Sequence, residues 1–186
     1  MKRFAKTLGA ACLAASALAA TMAAGALGAA FTYSATGPLT GTATGNQVFT
    51  PGGGGSVTCK KAHTSGTIIS FGGVSQHFTV SYSECTAFGF PATVSNATYE
   101  LYATGTVDVE NTITISVFGC TTTVKPQKGL KAVSYTNKAG KIEQHSNVSG
   151  IVSTASGFPC TGGVNGTFTG SNLVERVGGG TLTYDP

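Results

Sequence analysis

Apolar and polar residues alternate along most of this chain. In "HFTVSYSE", Phe78, Val80 and Tyr82 fall on one face and Thr79, Ser81 and Ser83 on the other. In "NTITISVF", Ile113, Ile115 and Val117 alternate with Thr112, Thr114 and Ser116. A period of two is that of a half-buried strand. "TYELYATG", "KAVSYTN" and "GTLTYDP" predict further strands. Turn formers punctuate these runs at Asn137 to Gly140, Asn165-Gly166 and Gly178 to Gly180, which predicts short connections. No stripe of period 3.6 follows residue 30. The pattern predicts an all-β fold, an antiparallel β-sandwich or barrel, with no significant helix.

Composition agrees. Beyond residue 30, Val and Ile number 21 against five Leu, and Thr and Ser number 42. Branched and hydroxylated side chains of this kind favour strands and turns over helices.

The first stretch breaks the pattern. Lys2, Arg3 and Lys6 precede a long uncharged, Ala-rich run that ends in small residues. This is the layout of a Sec-type signal peptide over residues 1–30, with cleavage expected near residue 30, within 26–30. The run is broken by Gly25 and Gly28 and is poor in Leu, so a retained membrane helix is not expected. The mature chain is then expected to be secreted, with no transmembrane anchor. Its 156 residues suit one domain. Residues 31–55 are Gly- and Thr-rich, and read as an arm or edge strand. Residues 56–186 read as a single β-sandwich domain. Removing the signal also removes three cations, and eight Lys and Arg against seven Asp and Glu leave a net charge of +1. No global attraction to nucleic acid follows.

Four cysteines remain: Cys59, Cys85, Cys120 and Cys160. In an exported chain an even number predicts disulfides. Four allow three connectivities. Sequential pairing, Cys59–Cys85 and Cys120–Cys160, is favoured because it needs the least topological crossing. No C-x-x-C pair suggests zinc or redox chemistry. Catalytic patterns are equally sparse. Gly73-Val74-Ser75-Gln76-His77 lacks the closing glycine of a nucleophile elbow. His63, His77 and His145 show no metal-ligand spacing. Asp108 and Glu110 share a strand face, yet the chain has no Trp to stack on a sugar. No catalytic residue, cofactor or metal is expected.

Two features stand apart. The tripeptide Gly-Phe-Pro occurs at 89–91 and 157–159, each near a cysteine. It reads as a strand-to-loop boundary, with a pair of exposed aromatic tips as the functional alternative. Charge is also segregated along the chain. Glu84, Glu100, Asp108 and Glu110 fall in a stretch without Lys or Arg; Lys125, Lys128, Lys131, Lys138 and Lys141 follow without acids. A hairpin turning at Asn137 to Gly140 would carry Lys131 and Lys141 on its arms and Lys138 at its tip. Such a finger could bind an anionic cell-wall or extracellular polymer, or it could guard an edge against aggregation.

With its Ala-rich signal, its cysteine-bearing β body, and "CTTTVKPQKGLKAVSYTN" leading to "SGFPCTGGVNGTFTG", the chain resembles the small secreted Thr/Gly-rich all-β proteins of unknown function from high-GC Gram-positive bacteria. The resemblance implies a secreted β-fold and transfers no catalytic residue. The leading expectation is a secreted or surface-associated, non-catalytic structural or interaction domain. The alternatives are a polyanion-binding module acting through the lysines, and a small secreted hydrolase.

Overall fold

A computed structural model describes residues 28–68 and 72–186. Most of the expected signal peptide, with Cys12, lies outside the described residues. The N-terminal half supplies β1 (Ala30–Tyr33), β2 (Gly37–Ala43), β3 (Gln47–Thr50), β4 (Val57–Ile68) and β5 (Ser75–Ala87). Short strands follow: β6 (Phe90–Val94), β7 (Ala97–Tyr102), β8 (Thr106–Val109), β9 (Ile113–Val117), β10 (Cys120–Val124), β11 (Gln127–Lys131) and β12 (Val133–Lys138). Two long strands, β13 (Lys141–Ser156) and β14 (Gly163–Arg176), and a short β15 (Leu182–Asp185) complete the chain. No helix occurs among the described residues.

Every pairing is antiparallel, and the sheet closes on itself. The ring runs β4–β5–β6–β9–β10–β13–β14–β2 and back to β4, with β3 sharing the place of β2 between β14 and β4. Closure makes this a barrel rather than two stacked sheets, and it removes the edges around the ring. Residues 37–50 therefore stand inside the ring, with partners on both sides. β5 forks the wall: its first half pairs with β7 and its last residues with β6. β7, β8 and β11 then extend from the fork, and β12 hangs on β13.

Period-two burial holds through the ring. Phe78 and Val80 are buried on β5, as are Ile113, Ile115 and Val117 on β9. The alternation shifts parity at two places. On β4 and β5, Lys60, Lys61, Ser83 and Glu84 all point outward, and Lys61 pairs with Glu84 there. On β13, the buried set moves from Val148 to Ile151 where the register against β14 shifts. Asn165-Gly166, expected as a turn, lies inside β14 at this irregularity. Asn165 takes the left-handed conformation (φ 65°) and Gly166 faces Ile151, so the pair makes a bulge instead of reversing the chain.

The two ends are closed differently. At one, β1 and β15 form a two-stranded sheet that places Phe31 and Leu182 among the most buried side chains. At the other, four connections meet: residues 51–56, 88–89, 118–119 and 157–162.

Candidate functional site

The four cysteines sit at the second end. Cys59 and Cys85 are direct partners in the β4–β5 ladder, and their Cα atoms are 3.9 Å apart. Cys120 opens β10 and bonds Cys160 in the loop after β13, with Cα atoms 5.6 Å apart. The sequential pairing is the one formed. The Cys120–Cys160 bridge ties the loop after β13 to the wall, whereas Cys59–Cys85 joins two wall strands that are already paired.

The five lysines do not form one basic finger. Lys131 lies on β11, which pairs with β8, and so is not an arm of the β12–β13 hairpin. Three lysines face carboxylates: Lys128 with Asp108 at 3.5 Å, Lys138 with Glu143 at 3.4 Å and Lys141 with Glu175 at 2.5 Å. Segregation along the chain is undone in space because β11 lies beside β8. Among the described strands, β11 and β12 each have a single ladder partner. The other edge of β11 is bridged to β13 by the Gln127 side chain, and that of β12 to β15 by the Asn137 side chain, so the lysines of these strands do not guard open edges.

The acids and histidines on the outer wall hold one another. Carboxylate oxygens of Glu100, Asp108 and Glu110 come within 4.8 Å. Glu100 accepts hydrogen bonds from Ser75 Oγ at 2.7 Å and Tyr102 OH at 2.8 Å, and faces His77 at 3.4 Å. The Ser75 bond is the main reason its carboxyl is held below 4.5, against the opposing effect of burial. Asp108 accepts from the Gly129 amide at 2.7 Å. Protein donors thus already hold two of the three carboxylates. A second cluster joins His145 Nδ1 to Ser171 Oγ at 2.9 Å, and His145 Nε2 to Glu143 at 3.5 Å. The residue types are those of a hydrolase triad. However, His145 and Ser171 are ordinary facing partners in the β13–β14 ladder. Ser171 sits on a regular strand rather than a strained turn, and Lys138 also engages Glu143. The cluster follows from strand pairing, and Ser171 does not sit on the sharp strand-to-helix turn of a nucleophile elbow.

The disulfide-bearing end has a different character. Its strand ends and connections (47–59, 85–94, 113–124 and 151–168) contain no Asp, Glu, Lys, Arg or His. They contain four exposed phenylalanines: Phe88, Phe90, Phe118 and Phe158. Phe158 is 92% exposed and Phe118 is 77% exposed. Phe90 and Phe118 stack with ring centroids 5.0 Å apart. The ring of Phe88 lies over Gly55, where a Cβ would come within 2.7 Å of it. Phe90 and Phe158 belong to the two Gly-Phe-Pro copies, so the repeat marks strand boundaries and carries exposed rings at the same time.

Phe88 and Phe118 escaped the sequence reading, although a signal exists. Each precedes a glycine in a two-residue hairpin connection in which both residues have positive φ: 52° and 82° at 88–89, 45° and 81° at 118–119. That turn normally takes Asn-Gly, and a bulky aromatic at its first position is rare. Phe-Gly between two alternating runs was the readable sign.

Compared with known protein families, with curated proteins and with solved structures, the chain finds no match in any of the three. Among the described residues, no helix is long and apolar enough to cross a membrane.

Proposed function

We propose that this chain is a secreted or surface-associated, non-catalytic interaction domain of bacterial origin, exported through a signal peptide over residues 1–30, and that its contact surface is the uncharged, phenylalanine-tipped end. The observation that carries this reading is Phe118. It occupies a left-handed turn position at φ 45° and is 77% exposed. A bulky side chain there raises the free energy of the backbone by about 1–2 kcal/mol, and its exposed ring gives little packing in return. Strain retained at an exposed position points to a use outside the domain's own stability. Three further exposed phenylalanines surround it on an end without charge, where desolvation is cheap and aromatic anchors dominate contact energy. The Cys120–Cys160 bridge holds the connection that carries Phe158 against the strand that follows Phe118, which lowers the ordering cost of binding.

The polyanion reading rests on Lys125 and Lys131, the two lysines of the five without a carboxylate partner among the described residues. One experiment separates the two readings. Retention of the wild-type chain on envelope material from the producing cell is compared with that of Phe118→Asn/Phe158→Ser and of Lys125→Gln/Lys131→Gln, at low and high salt. The aromatic reading expects salt-resistant retention, lost in the phenylalanine variant and kept in the lysine variant. Retention that vanishes in salt and in the lysine variant would replace it with the polyanion reading. Equal retention of all three chains would overturn both.

A further inference from the structure

We infer that the barrel lumen is a binding site for a small neutral molecule with an apolar body and a hydrogen-bond donor. This inference is independent of the aromatic end. The lumen holds a cavity of about 90 Å³ whose lining is mixed. Val94, Ile113, Ile115 and Val124, from β6, β9 and β10, are among those that make it apolar. Gln47, Thr64, Asn172 and Gln144, from the neighbouring strands β3, β4, β14 and β13, bring polar groups to the rest of its lining. Gln47 and Thr64 are each 2% exposed and Asn172 is 7% exposed. Gln47 Oε1, Thr64 Oγ1 and Asn172 Oδ1 have no hydrogen-bond partner.

Three orphaned buried oxygens beside one cavity are expensive, at about 1–3 kcal/mol each. Their chemistry is also specific. Gln47 Nε2 donates to the Gly45 carbonyl at 3.2 Å and the Ser171 carbonyl at 3.0 Å. A carbonyl accepts and cannot donate, so these bonds fix which end of the amide is oxygen. Gly170 makes that placement possible, since a Cβ there would lie 2.1 Å from Gln47 Oε1. An amide oxygen can only accept, so the occupant must donate. No Asp, Glu, Lys, Arg or His lines the cavity, and a charged occupant would go unneutralised at prohibitive cost. The space is roomy enough for several waters. A three-carbon alcohol fits within it, and its hydroxyl would satisfy oxygens that an alkane would leave orphaned.

The weakest seam of the wall beside the cavity runs along β11. That strand has no ladder to β13. The Gln127 side-chain amide takes its place, donating to Val152 O at 3.1 Å and accepting from Val152 N at 3.0 Å. Leu130, half-buried on the same strand, lines the cavity. A side-chain bridge opens more readily than a ladder, because only one residue has to move.

Propanol, propionate and propylammonium form a matched neutral, anionic and cationic series. Each is titrated into the disulfide-intact chain while the side-chain amides of Gln47 and Asn172 and the methyls of Ile113 and Ile115 are followed by NMR. Propanol is expected to give saturable shifts at these groups, and the two ions none. Thr64→Val keeps the shape and removes one acceptor. Asn172→Leu removes another and fills space. Each should weaken propanol at least tenfold without loss of thermal stability. If Asn172→Leu fails to fold, the isosteric Thr64→Val alone decides. The inference is overturned by the absence of saturable shifts with propanol, which would make the lumen a water site. Equal response to all three probes, or unchanged affinity in the variants, would overturn it as well.

Discussion

At the charged end of the barrel, Phe31 is 1% exposed and meets Tyr135 edge-on at 4.9 Å, and Tyr135 lies 5.0 Å from Tyr184. The phenols are placed as well: Tyr135 OH donates to Tyr102 O at 2.9 Å, and Tyr184 OH to Ala103 O at 3.2 Å. At the uncharged end, Phe90 and Phe118 stack at 5.0 Å but project outward. Both ends carry aromatic clusters. One is covered by the strands β1 and β15, is rich in tyrosine and is ringed by ion pairs. The other is covered by nothing of its own, uses only phenylalanine, and is braced by disulfides. The first arrangement is what a chain does to stabilise itself, since burial and satisfied polar tips both contribute. The second leaves apolar area in water and accepts backbone strain, which contributes nothing to folding.

The largest test of this contrast is truncation of one ring at each end. Phe31→Ala removes a fully buried ring and should destabilise by about 3–5 kcal/mol. Phe158→Ala should stay within about 0.5 kcal/mol. Urea denaturation of the two variants measures both. Similar losses would mean that the exposed end is packed in solution, and the contrast would fail.

Next in size come the braces. Opening Cys120–Cys160 by double Ala substitution releases a loop of 40 residues, and opening Cys59–Cys85 releases one of 26. Each should cost about 3–4 kcal/mol, the longer loop slightly more. The bridge between β4 and β5 joins strands already paired, whereas Cys160 lies in a connection. Hydrogen exchange should therefore rise at 157–162 when the second bridge is removed, and stay near its native level there when the first is removed. The reverse pattern would show that the loops do not depend on their own brace.

The charged end should answer to pH, and the aromatic end, having no titratable side chain, should not. Glu100 has its carboxyl pKa lowered, chiefly by Ser75. A lowered folded-state value means stability present above the unfolded pKa, near 4.5, and lost as pH falls through the folded value. Stability should therefore drop on acidification below about 4.5, and Glu100→Gln should flatten that drop. Denaturation midpoints of both chains across this range are the measurement, and parallel curves would remove Glu100 from the account.

Much of this architecture was legible in the sequence. Alternation in 78–82 and 113–117 placed those strands and their buried faces correctly, because each strand there keeps one parity. The cysteine pairing followed from economy of crossing. What escaped was non-local. That Lys128 would meet Asp108 depends on β11 pairing with β8, which no local pattern encodes. The lumen's polar lining unites Gln47, Thr64 and Asn172 from three strands far apart in sequence. Asn165-Gly166 carried a turn signal, but a left-handed residue serves a bulge as well as a reversal, and only pairing decides between them.

The smallest expected effect is the most discriminating, because its sign is unusual. Phe118→Asn places the preferred residue at the first position of the turn with Gly119. Relief of the left-handed backbone should contribute about 1–2 kcal/mol. The lost stack with Phe90 is worth about 0.5–1.5 kcal/mol in buried settings. Phe118 is 77% exposed, so the lower figure applies. The balance favours the variant by about 0.5–1.5 kcal/mol, a trade of stability against function. Thermal denaturation should show a raised midpoint, together with weaker retention on envelope material. A fall in stability of that size would instead make Phe118 part of the packed structure. The two ends would then differ only in how much of their aromatic surface they hide, and not in what that surface is for.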